Sequence, residues 1–208
     1  YLTGMVTDSG KFAFVTVLWG TKEEPVFDAL NLGFSLKQQC TMHDCILLAT
    51  ADVLELPVSS LLSLYWVVKR VEHVNVHPTL LKRCNDRFSH VFTKLRVWEE
   101  TDYDKIVLLD GDLLVQHNID ELFQLPAPTA YIRGHEAPAP GMRRSVTSLA
   151  DNKGSIRYGI NAGVIILRPE GGAAMLRHVA SASPSHMSTS APEQDYLSGY
   201  FGHDWNPG

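Results

Sequence analysis

Apolar residues fall into short, almost uninterrupted runs along the chain. Such runs cover Phe12–Leu18, 45–49, Lys105–Leu109 and 163–167, with a more mixed one at 71–76. Because strands that are covered on both faces lack polar alternation, these runs predict buried strands of the kind found in parallel sheets.

Segments between the runs have helical spacing. Residues 26–39 place Phe27, Leu30, Phe34 and Leu36 at roughly helical intervals, which predicts a helix with these side chains on its apolar face. Further helices are predicted over 92–98, after 53–58 and from Pro192.

Strands alternate with helices through the first half of the chain. This order is typical of α/β proteins with a mainly parallel central sheet flanked by helices. Ligands of such sheets bind beyond the carboxyl ends of the strands. Residues 133–157 are rich in Pro, Gly, Ser and basic side chains, and we interpret them as a long loop rather than a domain boundary. We therefore predict a single domain over 1–208.

The composition is that of an ordinary globular domain, with 45% hydrophobic and 20% charged residues. A net charge of -5 gives no electrostatic basis for binding nucleic acid. An anionic ligand would need a local positive centre, either a metal ion or a few basic side chains. The most apolar stretch, 61–68, ends at Lys69 and Arg70 and is too short to cross a bilayer. We predict no transmembrane segment, and a buried helix or strand there.

The three cysteines, Cys40, Cys45 and Cys84, are too few for a disulfide framework and lack the fourth ligand of a zinc site. We expect free thiols in a reducing compartment, which favours the cytoplasm. The sequence begins at Tyr1 rather than Met and is compatible with a fragment. The Golgi lumen stays an alternative if the fragment belongs to an anchored protein.

Asp110-Gly111-Asp112 follows the most distinctive strand prediction, Lys105–Leu109. A backbone turn there would bring two carboxylates to one point, and Gly111 would let bulky phosphates approach the backbone. Such hard oxygen ligands suit Mn2+ or Mg2+, whose other positions diphosphate oxygens and water can fill. Alone, the tripeptide is more often a simple turn, although carboxylates beside so apolar a strand need a partner.

Several sequence blocks resemble glycosyltransferase family 8, which includes glycogenin, galactinol synthase and bacterial lipopolysaccharide galactosyl- and glucosyltransferases. The strongest block is YDKIVLLDGDLLV at 103–115, followed by NIDELF at 118–123. Other blocks in the family's order lie at 13–16, 35–38, 93–98, 161–164 and 193–197. The resemblance covers nearly the whole chain. It implies a GT-A fold, a Rossmann-like domain that binds a UDP-sugar and transfers the sugar with retention of anomeric configuration.

The resemblance also implies roles for residues near the nucleotide. The end of the first strand would cradle the uridine through Thr16, Val17 and Leu18. Asp110 would touch the ribose or the metal, and Asp112 would ligate manganese. Lys94, and more loosely Arg87, would lie near the diphosphate or the sugar. Without the resemblance, both cations are ordinary solvated side chains.

Two later blocks match the segments that border the donor sugar. Asn161 and Ala162 match the segment that contacts its hydroxyls, although an Asn before Ala-Gly also suits a tight turn into the strand. Glu193 and Gln194 match an acidic residue and a glutamine beside the reacting carbon. An acidic residue directly after Pro192 is also an ordinary helix start, and both interpretations can hold together.

The resemblance makes Asp110, Asp112, Lys94, Glu193 and Gln194 the expected catalytic residues. Retaining transfer can use a carboxylate nucleophile, but no unmistakable one is present, and Gln194 is a poor one. We favour a same-face displacement, in which the metal and Lys94 stabilise the leaving diphosphate. The expected donor is UDP-glucose or UDP-galactose. The expected acceptor is a glycan, a protein or a small polyol, and a homodimer is compatible with the sequence.

One family feature is absent from the sequence. The family places a third metal ligand, a histidine, in a C-terminal segment, whereas His203 lacks the downstream Gly and Lys of that segment. Either this chain lacks the family's C-terminal segment or its site is incomplete. One alternative is therefore a UDP-sugar-binding protein without catalysis. A more distant alternative is an Asp-x-Asp magnesium phosphatase, which is disfavoured by the mid-chain strand and by Leu114.

Overall fold

Seven strands form one sheet in the computed structural model, which describes residues 10–76, 90–132, 159–181, 192–201 and 206–207. The strands are β1 (Phe12–Leu18), β2 (Asp44–Ala49), β3 (Val67–Arg70), β4 (Lys105–Leu109), β5 (Thr129–Ile132), β6 (Ile160–Leu167) and β7 (Asn206–Pro207). Their order is β3-β2-β1-β4-β6-β5-β7. The first four pair in parallel, whereas β6 runs antiparallel to β4 and β5. The predicted mainly parallel sheet is confirmed.

Helices cover both faces of this sheet. The described α-helices are α1 (Glu24–Gln38), α2 (Ala51–Leu54), α3 (Gly172–Ser181) and α4 (Pro192–Phe201), and the 3-10 helices are Pro57–Leu64, Val91–Glu99 and Asp120–Gln124. One face packs against Val91–Glu99, α3 and α4. The other face packs against α1, Pro57–Leu64 and Asp120–Gln124. None of the described helices combines the length and apolarity that crossing a bilayer requires.

β1 lies inside the sheet and is buried along its whole length. Its odd-numbered side chains enter one core, and its apolar even-numbered side chains enter the other. The chain continues from β1 to β2 on one side, while β4 pairs with β1 on the other side. Diverging connections of this kind open a crevice beyond the carboxyl ends of the two strands. Asp110 directly follows β4 and therefore lies at this β1/β4 crevice.

The helix predicted over 26–39 is present as α1, but its predicted apolar face is wrong in part. Leu36 is buried and Leu30 packs against the core, whereas Phe27 and Phe34 are 46% and 48% exposed. The residues that α1 buries are Val26, Ala29, Leu32, Gly33, Ser35 and Leu36. The helix is therefore rotated so that small and aliphatic side chains, rather than the aromatic ones, face the sheet.

A close contact with Trp66 accounts for this rotation of α1. Trp66 Nε1 donates a hydrogen bond of 2.9 Å to the carbonyl oxygen of Ala29. A β-carbon added to Gly33 would lie 2.5 Å from Trp66 Nε1 and 2.7 Å from Tyr65 Cβ. Only a residue without a side chain fits this approach, so Gly33 fixes which side of α1 faces inward.

β3 lies earlier in the chain than the sequence pattern predicted. The segment 71–76 has no regular secondary structure, and the amide of Val71 makes one further ladder bond of 2.9 Å to Ala49. The prediction of a strand over 71–76 is wrong because β2 ends at Ala49 and offers no further partners. The prediction of a buried 61–68 segment is wrong in part, since Leu64 at the end of the 3-10 helix Pro57–Leu64 and Val67 in the edge strand β3 are exposed.

The remaining strand and helix predictions differ mainly in their boundaries. Strands are confirmed at β1, β2 and β4, and the helix predicted over 92–98 is the 3-10 helix Val91–Glu99. β6 begins at Ile160, before the predicted 163–167. β5, α3 and β7 were not predicted, because β5 is only four residues long and α3 begins at a Gly-Gly pair. The loop predicted over 133–157 lies outside the described residues, as does Cys84, while Cys40 and Cys45 are free thiols.

Candidate functional site

Asp110 and Asp112 lie where the buried strand β4 reaches solvent. All five residues of β4 are buried, and the amide of Asp110 donates a hydrogen bond of 2.8 Å to the carbonyl oxygen of Gly163 in β6. This bond holds Asp110 at the end of the β4–β6 ladder. The Asp110 side chain is 31% exposed, and Asp112 is exposed. One carboxylate is thus fixed by the sheet, whereas the other faces water.

Lys94 lies between two carboxylates. Its Nζ is 2.5 Å from Asp110 Oδ1 and 3.8 Å from Glu193 Oε1. The 3-10 helix that carries Lys94 is held by the buried side chains of Phe92, Leu95 and Trp98. Because these anchors pack into the core, the neighbouring Lys94 side chain is directed into the β1/β4 crevice. The structure therefore brings together three predicted site residues from three separate elements.

Glu193 is the most buried charged group of this cluster, with 4% of its side chain exposed. Burial raises the pKa of Glu193, while the Lys94 charge opposes that rise. Glu193 Oε2 finds no hydrogen-bond donor among the described residues. A buried acceptor without a partner is costly, so Oε2 is suited to a hydrogen bond from a ligand.

Gln194 connects α4 to β6. Its side-chain oxygen accepts a hydrogen bond of 3.3 Å from the amide of Ala162. Ser198, which the sequence prediction missed, donates to the Gln194 carbonyl at 2.6 Å and accepts from the Ile160 amide at 2.9 Å. Asn161 lies inside β6 rather than in a turn before it, and its Oδ1 accepts from the amide of Gly163 at 2.8 Å.

The three residues predicted to cradle uridine do not share one face of β1. Thr16 and Leu18 lie beside Gly111, where an added β-carbon would be 3.8 Å from Thr16 Oγ1 and 3.7 Å from Leu18 Cδ2. Val17 points into the opposite core. Those distances are ordinary van der Waals contacts, so packing within the protein does not require glycine at 111. Thr16 is fully buried, and its hydroxyl has no hydrogen-bond partner among the described residues.

The donor set at this crevice fits a hard divalent cation. Asp110 and Asp112 supply two carboxylates, and Mg2+ or Mn2+ can take its remaining ligands from diphosphate and water. No group of three or more His, Cys, Asp or Glu side chains gathers as a metal site within the described part of the chain. The predicted site residue Arg87 lies outside the described ranges, as does His203, which the sequence did not support as the third metal ligand.

A second polar cluster at the same edge of the sheet was missed by the sequence prediction. Asp52 follows β2, and His73 follows β3 by three residues. His73 Nε2 lies 3.7 Å from Asp52 Oδ1. The signal that could have found the pair is its position after two consecutive strands, but the third strand was predicted to run through His73.

Comparison with known protein families shows which family this chain belongs to. The family described as Glycosyl transferase family 8 matches residues 35–207, which is most of the chain. The chain belongs to glycosyltransferase family 8. This membership confirms the resemblance drawn from the sequence blocks.

Two curated proteins illustrate how this family 8 chain relates to longer ones. It is 38% identical over 159 residues to the uncharacterized protein R707 of Acanthamoeba polyphaga mimivirus, a match that covers 76% of this chain and 56% of R707. It is 33% identical over 118 residues to UDP-glucuronate:xylan alpha-glucuronosyltransferase 2 of Arabidopsis thaliana, covering 57% of this chain and 19% of that protein. The chain thus spans little more than half of the first relative and about a fifth of the second.

A solved structure shows the same fold. The galactosyltransferase LgtC, in complex with donor and acceptor sugar analogs, superposes on this family 8 chain with a TM-score of 0.55 at 15% identity. The match covers 94% of this chain and 72% of LgtC. The sheet and its crevice therefore belong to the GT-A fold, as predicted.

Proposed function

We propose that this family 8 chain transfers a hexose from a UDP-sugar to an acceptor with retention of anomeric configuration. The observation that carries the proposal is the meeting of Lys94, Asp110 and Glu193 at the carboxyl end of β4. Their side chains combine one cation with two carboxylates of unequal burial. Transfer from a nucleoside diphosphate sugar uses such a set, because a cation stabilises the departing charge while a carboxylate orients sugar hydroxyls.

The nucleotide would lie across the carboxyl ends of β1 and β4. Thr16 supports this placement, because its buried hydroxyl has no partner among the described residues and would gain a hydrogen bond from a polar ligand atom that reached it. Asp110 and Asp112 would hold Mn2+ or Mg2+ beside the diphosphate. When bound, the ion neutralises negative charge on the diphosphate.

The neighbouring side chains favour a same-face displacement. Gln194 is a poor nucleophile, and its side-chain oxygen already accepts the Ala162 amide. In the proposed step the bond from the anomeric carbon to the diphosphate oxygen breaks, and the acceptor oxygen bonds on the same face. The acceptor proton passes to the diphosphate, Lys94 stabilises the developing charge, and Glu193 Oε2 accepts a hydrogen bond from a sugar hydroxyl.

The charge balance of the described site favours an uncharged donor sugar, glucose or galactose. Glu193 is the carboxylate proposed to face the donor sugar, and it shares Lys94 with Asp110. The carboxylate of a glucuronosyl donor, of the kind named for the plant relative, would be repelled where it approached Glu193, whereas the metal ion would offset the negative charge at the diphosphate.

A donor screen tests the proposal. UDP release is measured with UDP-glucose, UDP-galactose and UDP-glucuronate, each with Mn2+, Mg2+ or EDTA and with glycan, protein or polyol acceptors. We expect metal-dependent turnover of an uncharged donor, and an NMR spectrum of the product that shows retained configuration. Nucleotide binding without turnover would instead indicate a binding protein. Phosphate release from p-nitrophenyl phosphate would indicate a phosphatase, and an inverted product would overturn the retaining mechanism.

A further inference from the structure

Asp52 connects the loop after β1 to the segment after β3. Its Oδ2 accepts a hydrogen bond of 2.7 Å from the amide of Gly20, which has a positive φ of 94° in the loop that leads into α1. Its Oδ1 has no hydrogen-bond partner among the described residues and faces His73 Nε2 at 3.7 Å. One carboxylate oxygen of Asp52 is therefore bonded to the loop after β1, and the other is directed towards His73.

His73 in turn contacts the 3-10 helix that carries Lys94. Its Nδ1 is 3.4 Å from Thr93 Oγ1, and Thr93 is fully buried. Arg96 of the same helix donates from Nε to the Glu72 carbonyl at 2.9 Å and from Nη2 to the His73 carbonyl at 3.3 Å. The His73 side chain thus contacts this helix at Thr93, the residue before Lys94, and the His73 backbone contacts it at Arg96, two residues after Lys94.

The charged and titratable groups around the His73 ring come from two other elements. Asp52 of α2 faces one ring nitrogen, and the His90 ring packs against His73 at a centroid distance of 4.1 Å. Burial and the neighbouring His73 charge lower the pKa of His90. Burial works against ionisation of Asp52, but hydrogen bonds from Thr50 and Gly20 and the His73 charge lower its pKa. Among these described groups, His73 is the one that contacts both Asp52 and Thr93.

We propose that His73, acting with Asp52, is a positioning residue. It holds at a fixed separation the two walls of the β1/β4 crevice, which is called the donor crevice below because the UDP-sugar would bind there. One wall is the loop after β1 at Gly20, and the other is the 3-10 helix with Thr93 and Lys94. The inference rests on the proposed function, because it assigns those walls to the UDP-sugar. Displacing a positioned catalytic group by about 1 Å can cost roughly 100-fold in rate, so a contact one residue from Lys94 has functional weight.

Four variants at His73 and Thr93 separate the two contacts of the imidazole. His73→Asn places an amide near the position of Nδ1 and keeps the reach to Thr93, whereas His73→Gln places one near Nε2 and keeps the reach to Asp52. Thr93→Val removes the hydroxyl with little change in shape, and Thr93→Ser restores it. The matched control is Glu72→Gln, since Glu72 has an exposed side chain paired only with the exposed Arg70 in the described structure.

The decisive measurement is the dissociation constant of UDP-sugar in two backgrounds. We expect His73→Asn, His73→Gln and Thr93→Val each to weaken binding about tenfold in the parent, with Thr93→Ser and Glu72→Gln close to the parent. In a Lys94→Ala background, the His73 variants should change binding less than twofold, because residues that act through one another are not additive. Equal losses in both backgrounds, or no loss in the parent, would overturn the inference.

A second measurement is independent of the transferase proposal. Hydrogen exchange of the ligand-free protein should accelerate in 18–22 for His73→Asn and Asp52→Asn and in 90–96 for His73→Gln, but in neither segment for Glu72→Gln. Unchanged exchange in either segment would contradict the mechanical connection. A parent protein that fails to bind or turn over any UDP-sugar would defeat the proposed function, whereas normal turnover with unaffected His73 variants would defeat only this inference.

Discussion

Lys94 serves two carboxylates that differ in their exposure to water. Asp110 is partly exposed and sits at hydrogen-bond distance, whereas Glu193 is almost fully buried and lies farther from the ammonium. In the low-dielectric surroundings of Glu193, a neighbouring charge has a larger interaction energy with the carboxylate than it would have at the protein surface. The same lysine therefore supports the folded structure and, in the proposed function, would supply the positive charge that a diphosphate needs.

Replacing Lys94 by Ala should lower kcat by about 100-fold, because it removes a donor that stabilises charge on the leaving group. It should also destabilise the fold, since it leaves Glu193 buried without its cation. Steady-state kinetics and urea unfolding measure the two effects. Lys37→Ala, at an exposed lysine in the last turn of α1, is the control. An unchanged kcat would remove Lys94 from the mechanism.

Glu193→Gln should alter how stability depends on pH. Burial raises the pKa of Glu193 above its ordinary value of 4.5. A carboxyl with a raised pKa in the folded state stabilises the protein below that ordinary value and loses this contribution as pH rises through the folded-state pKa. The free energy of unfolding of the variant should therefore rise relative to the parent from pH 4.5 towards neutrality.

Urea unfolding at several pH values measures that difference for the Glu193→Gln protein. Glu170→Gln, at an exposed glutamate, controls for the loss of one negative charge. A difference between variant and parent that stays constant, or falls, as pH rises would contradict the assigned cause of the pKa shift.

At the scale of elements, contacts between neighbouring elements fix which face of a helix is buried and where a strand ends. The spacing of apolar residues along the sequence does not reveal either. The apolar runs predicted β1, β2 and β4 because each is buried on both faces. They predicted the helix α1 but misplaced Phe27 and Phe34, because the rotation of α1 depends on Gly33 lying against Trp66, a residue far along the chain. They failed for β3 because its end is set by the end of β2.

The candidate site, like the fold, was predictable from the sequence only in part. Family blocks predicted Lys94, Asp110 and Glu193, and the structure places these side chains together. Sequence spacing carried no information on the burial of Glu193 or on the Thr16 hydroxyl, which has no hydrogen-bond partner in the part of the chain that the structure describes. His73 was missed because a strand prediction runs through it, so its position relative to Asp52 required the true end of β3.

Gly33→Ala in α1 should destabilise the protein by about 1–3 kcal/mol, because overpacking against Trp66 and Tyr65 exceeds the helix-propensity gain of at most ~1 kcal/mol. Gly199→Ala in α4 is the matched control. An added β-carbon there meets no atom of the described residues within 4 Å, so the variant should gain about 0.5–1 kcal/mol. Urea unfolding measures both, and changes of the same sign would refute the packing explanation.

At the scale of the whole molecule, ligand binding should raise thermal stability, since the proposed donor crevice joins β1, β4 and the 3-10 helix Val91–Glu99. UDP with Mn2+ at about 100 times the dissociation constant should add roughly 2.7 kcal/mol of stability. For a chain of this size, that corresponds to a Tm increase of about 5–10 °C. Differential scanning calorimetry measures the shift.

Two comparisons show whether the diphosphate and metal cause this increase in Tm. Uridine, which lacks the diphosphate, should raise Tm much less than UDP with Mn2+ at equal concentration. Asp112→Asn should reduce the Mn2+-dependent part without lowering the ligand-free Tm, because Asp112 is exposed. Equal shifts for uridine and UDP, or an unchanged Mn2+ effect in Asp112→Asn, would argue against the assigned metal position.

The central place of β1 has a consequence for biosynthesis. During translation, β1 emerges well before its partner β4; a hydrogen bond at the start of this pairing, from Lys11 to Asp104, joins residues 93 positions apart. Until β4 emerges, the nascent chain displays an apolar, β-prone heptapeptide, FAFVTVL, with one edge unpaired. Non-local pairing of this kind is slow and exposes the chain to aggregation. Efficient production of the protein should therefore depend on chaperones that bind the newly made β1 segment.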